Sequence, residues 1–194
     1  MAEVRRLCVY CGSSFGHESR FREVAAALGQ AAARRGIGIV FGGGRVGLMG
    51  AVADGALGAG GEVIGIIPEI LQDREVGHGG ITRLEVVDSM HNRKRRMFEL
   101  SDAFVALPGG LGTLDETFEI ITWKQLQMHD KPVLLLNQDG YWDPLLDMVR
   151  HQTDAGFVHP ENMELFAAVA DIEALFRALD EAPAPRLVGD EKLL

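Results

Sequence analysis

The sequence predicts a doubly wound, Rossmann-like α/β fold, in which helices cover both faces of a mostly parallel sheet. Short apolar runs alternate along the chain with stretches of helical periodicity. The runs lack the alternation of polar and apolar residues that a half-solvated strand shows, so they are typical of strands buried on both faces. Glycine-bearing turns follow three of them, and in this fold ligands bind beyond the carboxyl ends of the strands.

The first half of the chain supplies two strand and helix units and then two further strands. The strands are rich in valine, isoleucine and aromatic residues, which favour extended backbone. The first helix is rich in alanine, whereas the second contains many glycines, which favour close packing at some cost in helix propensity. The predicted elements are strands at 7–10, 37–41, 63–67 and 84–87, with helices near 19–35 and 47–60.

The same alternation continues in the second half. The predicted elements are helices near 90–101, 113–129 and 142–155 and one ending near 180, with strands at 103–107, 133–136 and 165–169. A chain of 194 residues is long enough for one well-buried domain. We therefore predict a single nucleotide-binding domain over residues 1–181 and a loosely held tail over 182–194, which contains Pro183 and Pro185.

Charge and composition argue against several kinds of partner. The formal net charge of -9 disfavours nonspecific binding to nucleic acid or to an anionic membrane. No apolar stretch reaches membrane-spanning length without charges or glycines, and the first residues lack the pattern of a secretory signal. We therefore predict a cytoplasmic protein with neither nucleic acid nor membrane as a partner.

Cys8 and Cys11 have the C-x-x-C spacing of many metal and redox sites. They lie in the first predicted strand and at its exit, so we expect their side chains to point to opposite faces. The sequence contains no second pair of ligands for zinc. Core packing and turn entry are the favoured interpretation, and we predict neither a metal nor a cofactor.

The segment 108–116, Pro-Gly-Gly-Leu-Gly-Thr-Leu-Asp-Glu, joins an apolar strand to the start of a helix. Its glycines let the backbone approach a ligand, and the first N–H groups of a helix suit a phosphate. Glu116 lies about one turn inside that helix, where a carboxylate indicates a second task such as stabilising a positively charged transition state. The competing interpretation is a capping box, in which Thr113 and Glu116 only satisfy backbone donors.

Two other glycine-bearing turns, 11–14 and 42–47, follow the first and second predicted strands. The second turn matches the dinucleotide pattern G-x-G-x-x-G, but that pattern belongs after the first strand of its fold, so the match is weak. The sequence has no G-x-x-x-x-G-K-[ST] pattern of a P-loop. The coincidence of three such turns at one sheet edge is the stronger indication of a ligand site.

A basic segment, 90–97, opens the helix that follows the fourth strand. Its four consecutive cations cannot all face one ligand, because neighbouring residues on a helix diverge by about 100°. Arg93 and Lys94 lie nearest the helix start and hence the carboxyl edge of the sheet, so we predict both for the site. Arg95 and Arg96 are expected to form a solvated face.

Four motifs together resemble the LONELY GUY family of cytokinin riboside 5′-monophosphate phosphoribohydrolases. They are Cys-Gly-Ser-Ser at 11–14, Gly-Gly-Gly-x-x-Gly-Leu-Met-Gly at 42–50, Met-His-x-Arg-Lys at 90–94 and Pro-Gly-Gly-x-Gly-Thr-x-x-Glu at 108–116. Relatives have often been labelled lysine decarboxylases, but no lysine here has a setting that suggests a pyridoxal phosphate Schiff base, and glycine turns suit a nucleotide better.

The resemblance implies roles for individual residues. Arg93 and Glu116 are implied as catalytic, and Glu75 matches a substrate-contacting acid of the family. The other residues implied around the nucleotide are Gly12, Ser13, Gly43, Gly44, Lys94, Gly109, Gly110, Gly112, Thr113 and Thr122. The family also implies a homodimer. Four large apolar residues of the 113–129 helix would either face the partner or belong to the internal core: Phe118, Ile121, Trp123 and Met128.

The implied reaction hydrolyses the N-glycosidic bond of a nucleoside 5′-monophosphate to free base and ribose 5-phosphate. Its transition state is oxocarbenium-like, so Glu116 would stabilise charge or activate water, while Arg93 would orient phosphate or assist the leaving base. Two alternatives stay open at this point. One is a nucleotide or phosphate-cofactor carrier without hydrolysis, because fold alone does not fix function. The other is an AMP nucleosidase, which differs only in the base accepted.

Overall fold

The computed structural model describes residues 3–72, 77–184 and 186–187, which form one seven-stranded sheet covered by helices. The strands are β1 Arg6–Tyr10, β2 Gly38–Phe41, β3 Val63–Pro68, β4 Arg83–Val87, β5 Ala103–Ala106, β6 Val133–Leu136 and β7 Ala167–Val169. The helices are α1 Ser19–Arg34, α2 Gly47–Gly58, α3 Glu69–Gln72, α4 Met90–Leu100, α5 Leu111–Gln125, α6 Asp143–Asp154 and α7 Ile172–Glu181. Short 3₁₀ turns lie at Gln138–Gly140 and Pro160–Leu165.

All paired strands run parallel, in the order β4-β3-β2-β1-β5-β6-β7. The chain winds outward from β1 to β4 and then returns to the other side of β1 with β5. Helices α1, α2 and α7 pack on one face of the sheet, and α4, α5 and α6 pack on the other. The predicted doubly wound fold is confirmed, and the strand order reverses between β1 and β5.

The glycine content of α2 is explained by its close approach to α1. A Cβ atom at Gly29 would overlap the carbonyl oxygen of Val52, and one at Gly55 would overlap the carbonyl oxygen of Ala26. Backbone cannot yield cheaply at such contacts, so the two helices need glycine there. The interpretation of the α2 glycines as structural is confirmed at Gly55.

The structure differs from the sequence prediction at the ends of α5 and in one short helix. Helix α5 begins at Leu111 rather than 113, and it ends at Gln125 rather than 129. The chain leaves the helix because Gln127 has a φ of 60°, in the left-handed region. The four-residue helix α3 was not predicted, since it is too short to show a periodic pattern.

Cys8 and Cys11 belong to the two different core clusters on opposite faces of the sheet, as predicted. None of the helices in the described part of the chain is both long and apolar enough to cross a bilayer. Of the predicted tail, residues 185 and 188–194 lie outside the described residues. The backbone N–H groups of Arg186 and Leu187 donate to Asp130 Oδ2 at 2.5 and 3.2 Å.

His129, just beyond α5, is expected to make stability depend on pH. Its Nε2 donates to the carbonyl of Ile120 at 2.9 Å, its Nδ1 accepts from the backbone N–H of Lys131 at 3.2 Å, and the residue is buried. Burial lowers the pKa of His129 from 6.5 to about 4. The unfolded chain therefore takes up this proton first as the pH falls. As the pH falls from 6.5 to about 4, we expect the free energy of unfolding, measured in urea, to decrease by up to about 3 kcal/mol.

A His129→Gln variant is the matched control for this effect. Glutamine keeps a donor for the Ile120 carbonyl but does not titrate in this range. The advantage of the wild type over the variant should be largest above the unfolded-state pKa and should shrink as the pH falls towards about 4. A difference in unfolding free energy that stays constant across this range would contradict the pH dependence assigned to His129.

Candidate active site

A cavity of about 280 Å³ lies beyond the carboxyl ends of β1 and β5, where the strand order reverses. Ligands bind at this crevice in open α/β sheets. The volume is at the lower end of the range of small-molecule sites, roughly 300–1,000 Å³. The cavity brings together seven predicted site residues: Gly12, Ser13, Arg93, Gly110, Gly112, Thr113 and Glu116.

The start of α5 forms one wall of the cavity. The N-cap residue is Gly110, which offers no side-chain cap, so Thr113 is the third residue of the helix and not its cap. The capping-box interpretation is therefore wrong. Glu116 lies three residues after Thr113 and four after Gly112, so its side chain is on the same side of the helix as these two positions. The first N–H groups of α5 and the Glu116 carboxylate thus face the same cavity.

Arg93 approaches Glu116 from α4 and is almost fully buried, with 4% of its surface exposed. The helix begins one turn earlier, where the Ser89 hydroxyl accepts from the backbone N–H of Asn92 at 3.2 Å. The Arg93 guanidinium donates from Nη2 to the carbonyl oxygen of Gly42 at 2.9 Å. The glycine turn after β2 therefore positions this cation, and both residues implied as catalytic line one cavity.

The glycine turns are tied directly to one another. Gly12 donates its N–H to the carbonyl of Pro108 at 3.0 Å and accepts from the N–H of Leu48 at 3.0 Å. A Cβ at Gly109 would overlap the side chain of Thr113. The turns after β1 and β5 and the start of α2 thus form one packed unit. Gly109 supports the first turn of α5 and does not itself line the cavity.

Behind Glu116 the wall of the site is buried and neutral. Burial raises the pKa of Tyr10 well above its usual value, and the negative charge of Glu116 acts in the same direction. Burial also raises the pKa of the Cys8 thiol. Both groups therefore stay protonated at neutral pH. The charged residues among the described lining of the cavity are Arg93, Asp115 and Glu116.

Lys94, predicted beside Arg93, is not among the residues that line the cavity. Its Nζ lies 3.2 Å from Asp115 Oδ2 and 3.1 Å from Glu119 Oε1, so it joins α4 to α5. Burial opposes the charge of Lys94, but its hydrogen bonds to these two carboxylates raise the pKa of Lys94 overall. The interpretation of Arg95 and Arg96 as a solvated face is confirmed, since both form partly exposed ion pairs with Glu85 or Glu99.

Three other implied residues lie away from the cavity. Gly43 and Gly44 form the base of the segment 77–80: the Gly43 carbonyl accepts from the N–H of His78 at 3.0 Å, and Gly44 pairs antiparallel with Gly77. Thr122 is exposed on α5, three turns beyond its start. Glu75 lies outside the described residues. The structure thus gives Gly43 and Gly44 a positioning role for a neighbouring loop.

Sequence reasoning missed the apolar part of the lining. On the helices these residues are Met49 on α2, Leu71 on α3, Met90 on α4 and Leu111 on α5, and Val9 and Cys11 add apolar surface from β1 and its exit. Leu111 is 86% exposed and Met90 is 40% exposed, so they border the mouth of the cavity. Met49 and Met90 belong to two of the quoted motifs, but the motifs assign them no role, because an isolated apolar residue on a helix is usually core. Leu111 stands directly between two motif glycines, and this position is the one sequence signal that could have indicated its place at the cavity.

Comparisons with known proteins bear on this site. A family model described as "Possible lysine decarboxylase" matches residues 49–179. A probable cytokinin riboside 5′-monophosphate phosphoribohydrolase of Oryza sativa subsp. japonica is 47% identical over 177 residues, which cover 91% of this chain and 78% of the relative. A cytokinin riboside 5′-monophosphate phosphoribohydrolase of Arabidopsis thaliana is 44% identical over 180 residues, covering 93% and 84%. The chain belongs to this phosphoribohydrolase family.

The phosphoribohydrolase family shares its fold with proteins of other function. The molybdenum cofactor carrier protein of Chlamydomonas reinhardtii has a TM-score of 0.66 and 22% identity, over 92% of this chain and 98% of that chain. At this identity the likeness shows the fold alone. The decarboxylase description of the family model finds no support in the site, since no lysine is among the described residues that line the cavity.

Proposed function

We propose that this chain hydrolyses N6-modified adenosine 5′-monophosphates, that is cytokinin riboside 5′-monophosphates, to free base and ribose 5-phosphate. The observation that carries the proposal is the meeting of Glu116, Arg93 and the uncapped N-terminus of α5 in one cavity. The enzymes of Oryza sativa and Arabidopsis thaliana named above, 47% and 44% identical to this chain, support the same reaction.

The substrate is proposed to bind with its 5′-phosphate on the N–H groups of Gly110, Gly112 and Thr113, where the helix dipole favours an anion. Glu116 is four residues beyond Gly112, which places its Cα about 6 Å further along the helix, and its side chain tilts back towards the N-terminus and the sugar. Water adds to the anomeric carbon as its bond to the base breaks. The carboxylate stabilises the positive charge that develops on the sugar and takes the proton from water, while the base leaves with the bonding electrons and takes up a proton to become the free base.

The base is proposed to lie towards the mouth of the cavity. Leu71, Met90 and Leu111 offer apolar surface there, and two of them are substantially exposed. Apolar surface at the mouth favours an apolar N6 substituent, since covering it removes hydrophobic area from water. Arg93, held on Gly42, would then orient the phosphate or assist the leaving base.

A direct assay tests the proposal. The purified protein is incubated with AMP and with isopentenyladenosine 5′-monophosphate, and the products are separated by chromatography. We expect free base and ribose 5-phosphate from both nucleotides, with the isopentenyl compound cleaved faster. Cleavage of AMP alone would assign an AMP nucleosidase. Binding without release of base, in a folded protein, would replace the hydrolase with the carrier alternative.

We also propose a homodimer that uses the exposed side of α5. Three of the four residues named in the sequence analysis belong to the core of this chain instead: Ile121 is buried, and Phe118 and Trp123 pack against the core. Leu111 and Leu126 are instead exposed, and Thr122 lies on the same side of the helix. In a dimer formed there, Thr122 of one subunit would contact the substrate bound to the other subunit. Light scattering would give the mass of the assembly in solution.

Cell fractionation would test the predicted cytoplasmic location.

A further inference from the structure

Tyr141 connects the segment after β6 to the glycine turn that precedes α5. Its hydroxyl donates to the carbonyl oxygen of Gly109 at 2.7 Å and accepts from the backbone N–H of Gly109 at 3.3 Å. One phenol therefore holds the two peptide groups on either side of Gly109. The residues are 32 positions apart in the sequence, and no motif includes Tyr141.

The chain before Tyr141 is built to hold this side chain in place. Asp139 and Gly140 both have left-handed backbone, with φ of 54° and 75°. A non-glycine residue in this region is strained and needs support, and Asp139 forms an ion pair with Arg20 at 2.8 Å. The Tyr141 ring meets Phe21 edge to face, with centroids 5.6 Å apart. The position of the hydroxyl is therefore fixed by turn geometry and by packing.

The glycine turn itself lacks close packing on the side of Tyr141. A second cavity, of about 220 Å³, lies there between Phe15, Phe21, Leu48 and Tyr141, and the glycine turn separates it from the catalytic cavity. A turn with open space behind it can retreat unless hydrogen bonds hold it. Gly109 directly precedes the N-cap Gly110 and leaves no room for a Cβ beside the Thr113 side chain, so we expect a shift of Gly109 to displace the first turn of α5.

We infer that Tyr141 is a positioning residue, which holds the Gly109 turn forward so that the N–H groups at the start of α5 meet the 5′-phosphate. The inference rests on the proposed function for the identity of the ligand. Tyr141 does not line the catalytic cavity, so it acts through Gly109. Loss of its hydroxyl is therefore expected to weaken binding of the phosphate. The rate of the chemical step should change much less.

Tyr141→Phe tests the inference because it removes the hydroxyl and keeps the ring against Phe21. We expect KM for the nucleotide 5′-monophosphate and Kd for ribose 5-phosphate each to rise roughly fivefold to tenfold, the effect of one or two lost hydrogen bonds. The value of kcat should change less than twofold to threefold. Calorimetric titration with ribose 5-phosphate and steady-state kinetics give these quantities, and a thermal unfolding scan shows whether the variant is folded.

A variant whose KM and ribose 5-phosphate affinity equal those of the wild type would overturn the inference, whatever happens to its thermal midpoint. A fall in the midpoint with unchanged affinity would assign Tyr141 a structural role only. If the wild type releases no base but binds ribose 5-phosphate, and the variant binds it more weakly, the proposed hydrolysis fails and the positioning role stands. A wild type that neither releases base nor binds ribose 5-phosphate would overturn both.

Discussion

Glu116→Gln is expected to lower the rate of base release roughly 1,000-fold while leaving nucleotide binding nearly intact. The amide has the size of the carboxylate but carries no charge, so it can neither stabilise a positive sugar nor accept a proton from water. Loss of one preorganised electrostatic group at a reacting centre costs about 100-fold to 1,000-fold. The N–H groups of α5 remain, so the phosphate keeps its anchor. Single-turnover chromatography and AMP titration separate the two effects.

Glu119→Gln is the matched control for this experiment. Glu119 lies on the same helix three residues later, forms an ion pair with Lys94 and is not among the residues that line the cavity. Its substitution removes the same charge from α5, so any general effect of helix charge appears in both variants. Equal loss of turnover in the two variants, or turnover retained in Glu116→Gln, would remove Glu116 from the chemical step.

The sequence predicts the site as far as local patterns and parallel topology determine it. Uninterrupted apolar strands identify a parallel sheet, and parallel strands end at one edge, so the turns after β1, β2 and β5 had to meet. Arg93 follows from its place at the start of α4, and Glu116 follows from helical spacing after the glycines. The structure brings both to the same cavity.

Partners distant in sequence could not be predicted in the same way. Lys94 has the local pattern of a site residue, but carboxylates 21 and 25 positions later hold it between two helices. The Thr-x-x-Glu spacing matches a capping box, yet the helix begins two residues earlier because Gly110 adopts extended backbone and serves as the N-cap. Both outcomes depend on which groups meet in the fold, and a single sequence does not contain that information.

Gly42→Ala is expected to lower kcat/KM roughly 100-fold, a loss of about 2.7 kcal/mol in transition-state stabilisation. The added methyl group would overlap Nη2 of Arg93, the atom that donates to the Gly42 carbonyl. Gly42 is not among the residues with positive φ, so the substitution acts through space and not through backbone strain. The atom in the way is the end of a flexible side chain, so Arg93 moves. We expect a loss of stability of only about 1–3 kcal/mol.

Gly58→Ala is the control, because a Cβ there meets no atom within 4 Å and the residue lies at the far end of α2. Gly58→Ala should keep the wild-type rate.

Arg93→Ala then shows whether Gly42 acts through the guanidinium. If it does, adding Gly42→Ala to Arg93→Ala causes little further loss, since the group that the methyl displaces is already gone. Additive losses would mean that Gly42 shapes the cavity independently of Arg93. A Gly42→Ala enzyme with wild-type kcat/KM would show that catalysis does not need the guanidinium held at this carbonyl.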